Sequence, residues 1–181
     1  MDLEKVASLK SLVRTGWMQR GIPPSIGETV ADHSFEAAVI AFYLSIELRK
    51  KGVEVDPYKS SVLALFHDVG EAVIGDLPKW TTERLGLRKR EIEAEAHRLL
   101  GTEALFKEYK ESGSVESKIA MISDRLSTLL QAYRYSKLGY DVKEIIESYE
   151  AELEKLLTDL PALKDVVESV KTHIRGSHMD K

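Results

Sequence analysis

The stretch Leu63-Ala64-Leu65-Phe66-His67-Asp68-Val69-Gly70-Glu71-Ala72-Val73-Ile74-Gly75-Asp76 reads as an apolar helix that abruptly carries a histidine, two carboxylates and, after a glycine turn, a third carboxylate. So apolar a stretch is normally buried, and burying ionisable groups is costly unless something charged or hydrogen-bonding receives them. A metal ion is the simplest receiver. Adjacent residues on a helix point about 100° apart, so His67 and Asp68 converge on one ion only if it lies between their directions. Glu71, four residues after His67 and three after Asp68, shares their side. It can touch a water on such an ion without binding the ion, as a general acid or base must. The competing reading is a run of surface charges on an amphipathic helix, and the His-Asp dipeptide alone does not decide between them.

A second group of chemically useful residues precedes this stretch. Between Gly16 and Gly27 the sequence turns irregular, with Gly21 and the pair Pro23-Pro24, and Arg14, Trp17 and Arg20 stand in or beside that loop. An arginine with an aromatic neighbour suits a phosphate and a base or sugar, through bidentate hydrogen bonds and stacking. Equally, Trp17 can anchor the loop to the core while the arginines are solvated; the residues leave both open. Asp76, in the turn Gly75-Asp76-Leu77-Pro78, can accept from a ligand hydroxyl or satisfy local backbone N–H groups, the commoner role for an aspartate there.

The elements that must position these residues are all helical in period. Leu3, Val6, Leu9 and Val13 mark a helix over residues 2–14, with Thr15-Gly16 as its stop. Thr29-Val30-Ala31-Asp32 has the form of a capping box and opens a helix with His33 in its first turn. The run Ala37 to Ile46 is apolar all round, which sends that helix through the core. Pro57 opens the next helix at a favourable first position. Residues 81–110 are charged and helical in period, interrupted by Gly86 and Gly101, and His97 there reads as a surface or satisfied core histidine. Ser114 caps a helix over 115–138, where Asp124 interrupts an apolar run. Small same-face neighbours Ala120, Ser127 and Thr128 leave room for an ion, with Arg125 directed elsewhere and free to pair with a carboxylate. Residues 142–159 and 161–175 form two more helices, broken at Pro161. No period-two pattern appears, so the expectation is an all-α bundle of about six to seven helices.

Composition bounds the function. With 181 residues, 43% of them hydrophobic, the chain suits one domain over 1–175 followed by a short tail, 176–181, whose Gly-Ser-His-Met resembles a cloning scar and removes His178 from consideration. No cysteine is present, which excludes disulfides, zinc thiolates and thiol nucleophiles and leaves histidine and carboxylate as strong metal ligands. No run spans a bilayer and no leader opens the chain, giving an expected cytoplasmic, membrane-free protein. A net charge of −4 with evenly mixed signs argues against nucleic acid, while a small phosphorylated substrate needs only a few local cations.

The ordered quartet His33, His67-Asp68 and Asp124 across three helices resembles the HD-domain metal-dependent phosphohydrolases. The likeness extends to their small 5′-deoxynucleotidase branch through Arg14-Thr15-Gly16-Trp17, Glu28-Thr29-Val30-Ala31-Asp32-His33, His67 through Pro78, and Asp124-Arg125-Leu126. The resemblance implies a helical HD bundle, a homodimer, and release of phosphate from (deoxy)nucleoside 5′-monophosphates with one divalent ion held by His33, His67, Asp68 and Asp124. It assigns Glu71 to proton transfer, Arg14 and Arg20 to the phosphoryl oxygens, Trp17 to the sugar or base, and Asp76 to a sugar hydroxyl. Two imidazoles and two carboxylates suit Mn, Co, Fe, Ni or Zn. Glu71 stands where HD-GYP phosphodiesterases carry lysine, and Ala72 departs from the H-D-x-x-E-D of alarmone hydrolases. The alternative is a non-catalytic module that senses nucleotides through the same metal site, which turnover distinguishes.

Overall fold

The computed structural model describes residues 2–111 and 113–176, and every regular element among them is helical, apart from one isolated bridge between Val13 and Thr29. The tail residue His178 lies outside the described residues. In chain order the helices are α1 (Leu3–Ala7), α2 (Thr15–Met18), α3 (Val30–Lys50), α4 (Pro57–Phe66), α5 (Glu71–Ile74), α6 (Lys79–Leu85), α7 (Leu87–Leu100), α8 (Glu103–Glu111), α9 (Val115–Lys137), α10 (Lys143–Leu157) and α11 (Lys164–Gly176), with 3₁₀ turns at Ser8–Lys10 and Pro161–Leu163.

The long helices begin where side chains can take up their free N–H groups. At α3 the Thr29 hydroxyl accepts from Asp32 N while Asp32 Oδ2 accepts from Thr29 N, a reciprocal box. Asp56 accepts from the N–H groups of Tyr58 and Lys59 ahead of Pro57, and Ser114 accepts from Ser117 N at α9. Helices α3, α4 and α9 pack on one another, and α10 lies along α9. Their shared core holds Ala37, Ala41, Leu44 and Leu48 of α3, Leu63 and Ala64 of α4, and Ile119, Ile122, Leu126 and Leu129 of α9, all at most 1% exposed. Leu153 of α10 and Val167 of α11 close it from the far side.

Three expectations need correction. There are more helices than six to seven, because turns divide what periodicity reads as continuous. The N-terminal helix ends early: residues 12–14 leave it to run beside residues 28–30, with Arg14 N bonding Glu28 O at 3.0 Å and Val30 N bonding Leu12 O at 2.9 Å. Tract 81–110 divides at Gly86 and Gly101, where its glycines are expected to interrupt it; Gly101 at φ 73° adopts the left-handed conformation that glycine tolerates and ends α7. The apolar stretch 63–76 is likewise not one helix. It stops at Phe66, turns through His67–Gly70, and resumes as α5.

That turn is held by α7. Buried His97 stacks on Phe106, with centroids 4.4 Å apart, and its Nδ1 lies 2.9 Å from the Thr102 hydroxyl. Burial pushes its pKa down to about 4, so the ring is neutral, a satisfied core histidine. A Cβ on Gly70 would sit 2.8 Å from His97 Cδ2 and 3.0 Å from its Nε2. Gly70→Ala is therefore expected to force the turn off the imidazole and to destabilise the fold by about 1–3 kcal/mol. Chemical denaturation checks this; an unchanged midpoint would show that the turn yields freely.

Candidate metal centre and adjoining cleft

Turning at the end of α4 brings His67 and Asp68 together. His67 keeps a helical backbone at the end of α4, and its Nε2 and Asp68 Oδ2 reach round to within 3.0 Å of each other. The first turn of α3 delivers His33, whose Nε2 is 3.3 Å from His67 Nε2 and 3.8 Å from Asp68 Oδ2. The middle of α9 delivers Asp124, with Oδ1 3.3 Å from His33 Nε2 and 3.7 Å from His67 Nε2. One donor atom each from His33, His67 and Asp124 lie within 4.8 Å of one another.

These separations are those of donors around a single ion. Ligands about 2.1 Å from a metal and adjacent to one another stand about 3.0–3.4 Å apart. The outer hydrogen bonds agree. His67 Nδ1 lies 2.6 Å from the Ala64 carbonyl, which can only accept, so that nitrogen carries the proton. His33 Nδ1 lies 3.2 Å from Ser127 Oγ, and that hydroxyl donates at 3.0 Å to Glu36, itself gripped by Arg134. Both imidazoles thus turn bare Nε2 lone pairs toward each other, an arrangement that a shared cation resolves. Asp124 Oδ2 is taken by the Tyr109 hydroxyl at 2.7 Å and by Arg125, which leaves Oδ1 to face the histidines. Arg125 is thus not directed away from the site: it folds back onto Asp124 and reaches Glu152 at 2.8 Å.

The electrostatics ask for positive charge. Burial opposes a charged His67, but Asp68 and Asp124 outweigh it and lift its pKa to about 10. Burial likewise works against both carboxylates; Asp68 is nonetheless held well below the usual range by His67, and Asp124 by Arg125 and His67. The centre opens on one side only. The His33, His67 and Asp124 side chains are at most 7% exposed, while that of Asp68 is 24%.

Glu71 follows on that open side. Its Oε2 is buried and has no hydrogen-bond partner, and burial together with Asp68 and Asp76 raises its pKa well above the usual carboxylate range. An unpartnered buried carboxyl is expensive, and it is the natural seat for a ligand's proton or hydroxyl.

Beside the centre lies a cleft of about 530 Å³, lined by Arg14, Trp17, Arg20 and Asp76 together with Lys79, Trp80 and Tyr149. Arg14 joins the two. Its Nη1 donates to Glu28 at 3.1 Å and to Thr128 at 3.0 Å. Burial disfavours its charge, but Glu28, with Asp68 and Asp76 beyond, more than restores it. Trp17 is 2% exposed, donates its indole N–H to Glu28 at 2.8 Å and meets Tyr135 edge-on at 5.1 Å. That ring offers no open face to a ligand; it anchors the loop. Arg20 is half-exposed at the rim, paired with Glu144 at 2.5 Å. Asp76 Oδ2 accepts from Thr15 N, and Thr15 Oγ1 donates to the Asp76 carbonyl at 3.0 Å.

Glu28, Tyr109, Glu36 and Ser127 were not picked out from sequence as working residues. Glu28 was visible only as a letter in the motif before His33, and Tyr109 looks like any apolar position on an amphipathic helix.

The HD domain family profile matches residues 6–163. A Dictyostelium discoideum protein named 5′-deoxynucleotidase HDDC2 is 31% identical over 150 residues, covering 77% of this chain and 78% of that protein. The bovine protein of the same name is 32% identical over 145 residues, 75% of this chain and 67% of its own. Among solved structures, a conserved hypothetical protein from Pyrococcus furiosus superposes with a TM-score of 0.82 at 36% identity, covering 93% of this chain and 96% of the other.

Proposed function

The chain belongs to the HD domain family, and on that premise we propose that it is a metal-dependent phosphomonoesterase releasing phosphate from (deoxy)nucleoside 5′-monophosphates. The observation that carries this reading over a nucleotide-sensing module is Glu71: a buried, unpartnered carboxyl on the open side of a four-ligand centre is a cost that binding alone does not require. His33, His67, Asp68 and Asp124 would hold one divalent ion, with Mn, Co, Fe, Ni and Zn all compatible. When bound, such an ion neutralises phosphoryl charge and lowers the pKa of water.

The remaining work falls to the chain's own side chains. Arg14, fixed by Glu28 and Thr128, turns its other donors to the phosphoryl oxygens, and Arg20 reaches them by exchanging its rim pair with Glu144. Trp17 acts from beneath, holding Glu28 and through it Arg14. Asp76, oriented by Thr15, offers Oδ1 to a sugar hydroxyl. Glu71 keeps its proton to higher pH than an ordinary glutamate, which suits it to protonate the departing 5′ oxygen.

The test is phosphate release from a panel of ribo- and deoxyribonucleoside 5′-monophosphates after chelation and return of single metals. Metal-restored release is the expected result. No release from protein shown to have bound the metal would overturn the activity in favour of sensing.

The same proposal includes a homodimer and a cytoplasmic location; no described helix is long and apolar enough to cross a membrane. Phe35, Val39 and Phe42 of α3, with Tyr58, Val62 and Leu65 of α4, share one outer face, exposed by 39–74%, and Phe42 and Tyr58 touch at 5.8 Å. The three aromatic rings alone leave on the order of 350 Å² bare. With the aliphatics this approaches the roughly 800 Å² per partner of a stable interface. Phe35→Glu with Phe42→Glu is expected to convert a dimer to a monomer in light scattering. A wild type that is already monomeric would remove the dimer from the proposal.

A further inference from the structure

Trp80 is 64% exposed, which is unusual for so large an apolar surface, and it lines the cleft. Its position is prepared. Pro78 opens α6, and Lys79 beside Trp80 ties that helix to α10 through Ser148 at 2.6 Å and Glu152 at 3.0 Å. Arg84 lies 3.7 Å over the centre of the Trp80 ring and does not line the cleft, so it backs one side of the indole and leaves the rest to the cleft. Trp80 follows Asp76 by four positions, which caps the separation of their Cα atoms at about 14 Å.

The cations lining the cleft are each paired: Arg14 with Glu28, Arg20 with Glu144 and Lys79 with Glu152. With Arg14 and Arg20 turned to one phosphate, the described lining of the cleft leaves no unpaired cation for a second. What it provides there is an uncommitted aromatic surface.

We infer that Trp80 is the platform on which the nucleobase stacks, so that this residue, and not Trp17, sets the cleft's affinity for the base and favours nucleoside monophosphates over sugar phosphates lacking one. The inference rests on the nucleotidase activity proposed above. An aromatic face serves every base, so the preference it confers is for having a base rather than for which one. Arg84 stiffens the platform from behind and draws electron density from it.

The experiment is steady-state phosphate release by wild type, Trp80→Ala and Trp80→Phe, with deoxynucleoside 5′-monophosphates and with 2-deoxyribose 5-phosphate as a probe without a base. Trp80→Ala is expected to raise KM for the nucleotides about tenfold or more while kcat stays within about twofold, from the usual strength of base stacking. KM for the sugar phosphate should not move, and Trp80→Phe should recover most of the loss. A nucleotide KM unaffected by Trp80→Ala, or a rise shared equally by the sugar phosphate, would overturn the platform and leave the activity standing. Wild-type protein that turns over no nucleotide would instead overturn the activity, and the platform with it.

Discussion

Asp68→Asn is expected to strip the protein of its metal and, with it, to lower kcat/KM by about 1,000-fold or more, since metal-derived stabilisation of a phosphoryl transition state amounts to several kcal/mol. Asp68 is the proposed ligand for which this is most informative. It is the most exposed of the four, at 24%, and it makes no bond to a neighbouring helix comparable to those that fix Asp124, so its loss should leave the fold intact. Asparagine preserves shape and offers a neutral oxygen, but it removes one of the two charges that draw a cation to the histidines. Metal analysis after desalting, run beside phosphate release, checks both halves. Full metal content with activity lost would exclude Asp68 as a ligand; full metal content with full activity would remove its charge from both binding and catalysis.

Glu71→Gln should separate binding from chemistry. The metal should stay, because the atoms that meet the two histidine Nε2 atoms come from Asp68 and Asp124 and not from Glu71, while kcat falls by about 100- to 10,000-fold, the usual worth of positioned proton transfer. A second comparison fixes the role. If Glu71 protonates the departing oxygen, a substrate whose leaving group needs no proton, such as p-nitrophenyl phosphate, should lose far less. Equal losses on both substrates would assign Glu71 to the attacking water instead. Undiminished turnover would remove it from catalysis.

Much of this was legible before the fold was known. His33, His67, Asp68 and Asp124 stand out because charge inside apolar helices needs a partner, and their chain order narrowed that partner to a metal. The caps at Thr29 and Ser114 were readable because each is a local rule joining a side chain to an N–H three residues on. What could not be read was long-range. Nothing local says that the helix ends at Phe66, because the reason lies thirty residues on, where His97 packs against Gly70. Trp17 and Trp80 could not be told apart either. One is buried against Tyr135 of α9 and the other left bare at the start of α6, and both facts depend on partners distant in sequence. Arg125 finds the carboxylate partner its charge calls for, but its direction is not legible for a related reason: helix spacing fixes where a side chain starts, while a long guanidinium can fold back to its neighbour.

The donors of the centre come from three separate stretches, His33 and His67 alone being 34 residues apart. An ion bound by them would therefore act as a cross-link, closing chain loops that otherwise cost entropy to close. Because the unfolded chain cannot reproduce the cluster, saturation adds to stability by mass action, about 2.7 kcal/mol at a hundredfold excess over Kd. The N-terminal turn of α3, the His67 turn and the middle of α9 should then tighten together. Chelation would accordingly be felt as faster amide exchange at all three places at once, making the centre a staple for the fold as well as a site for chemistry.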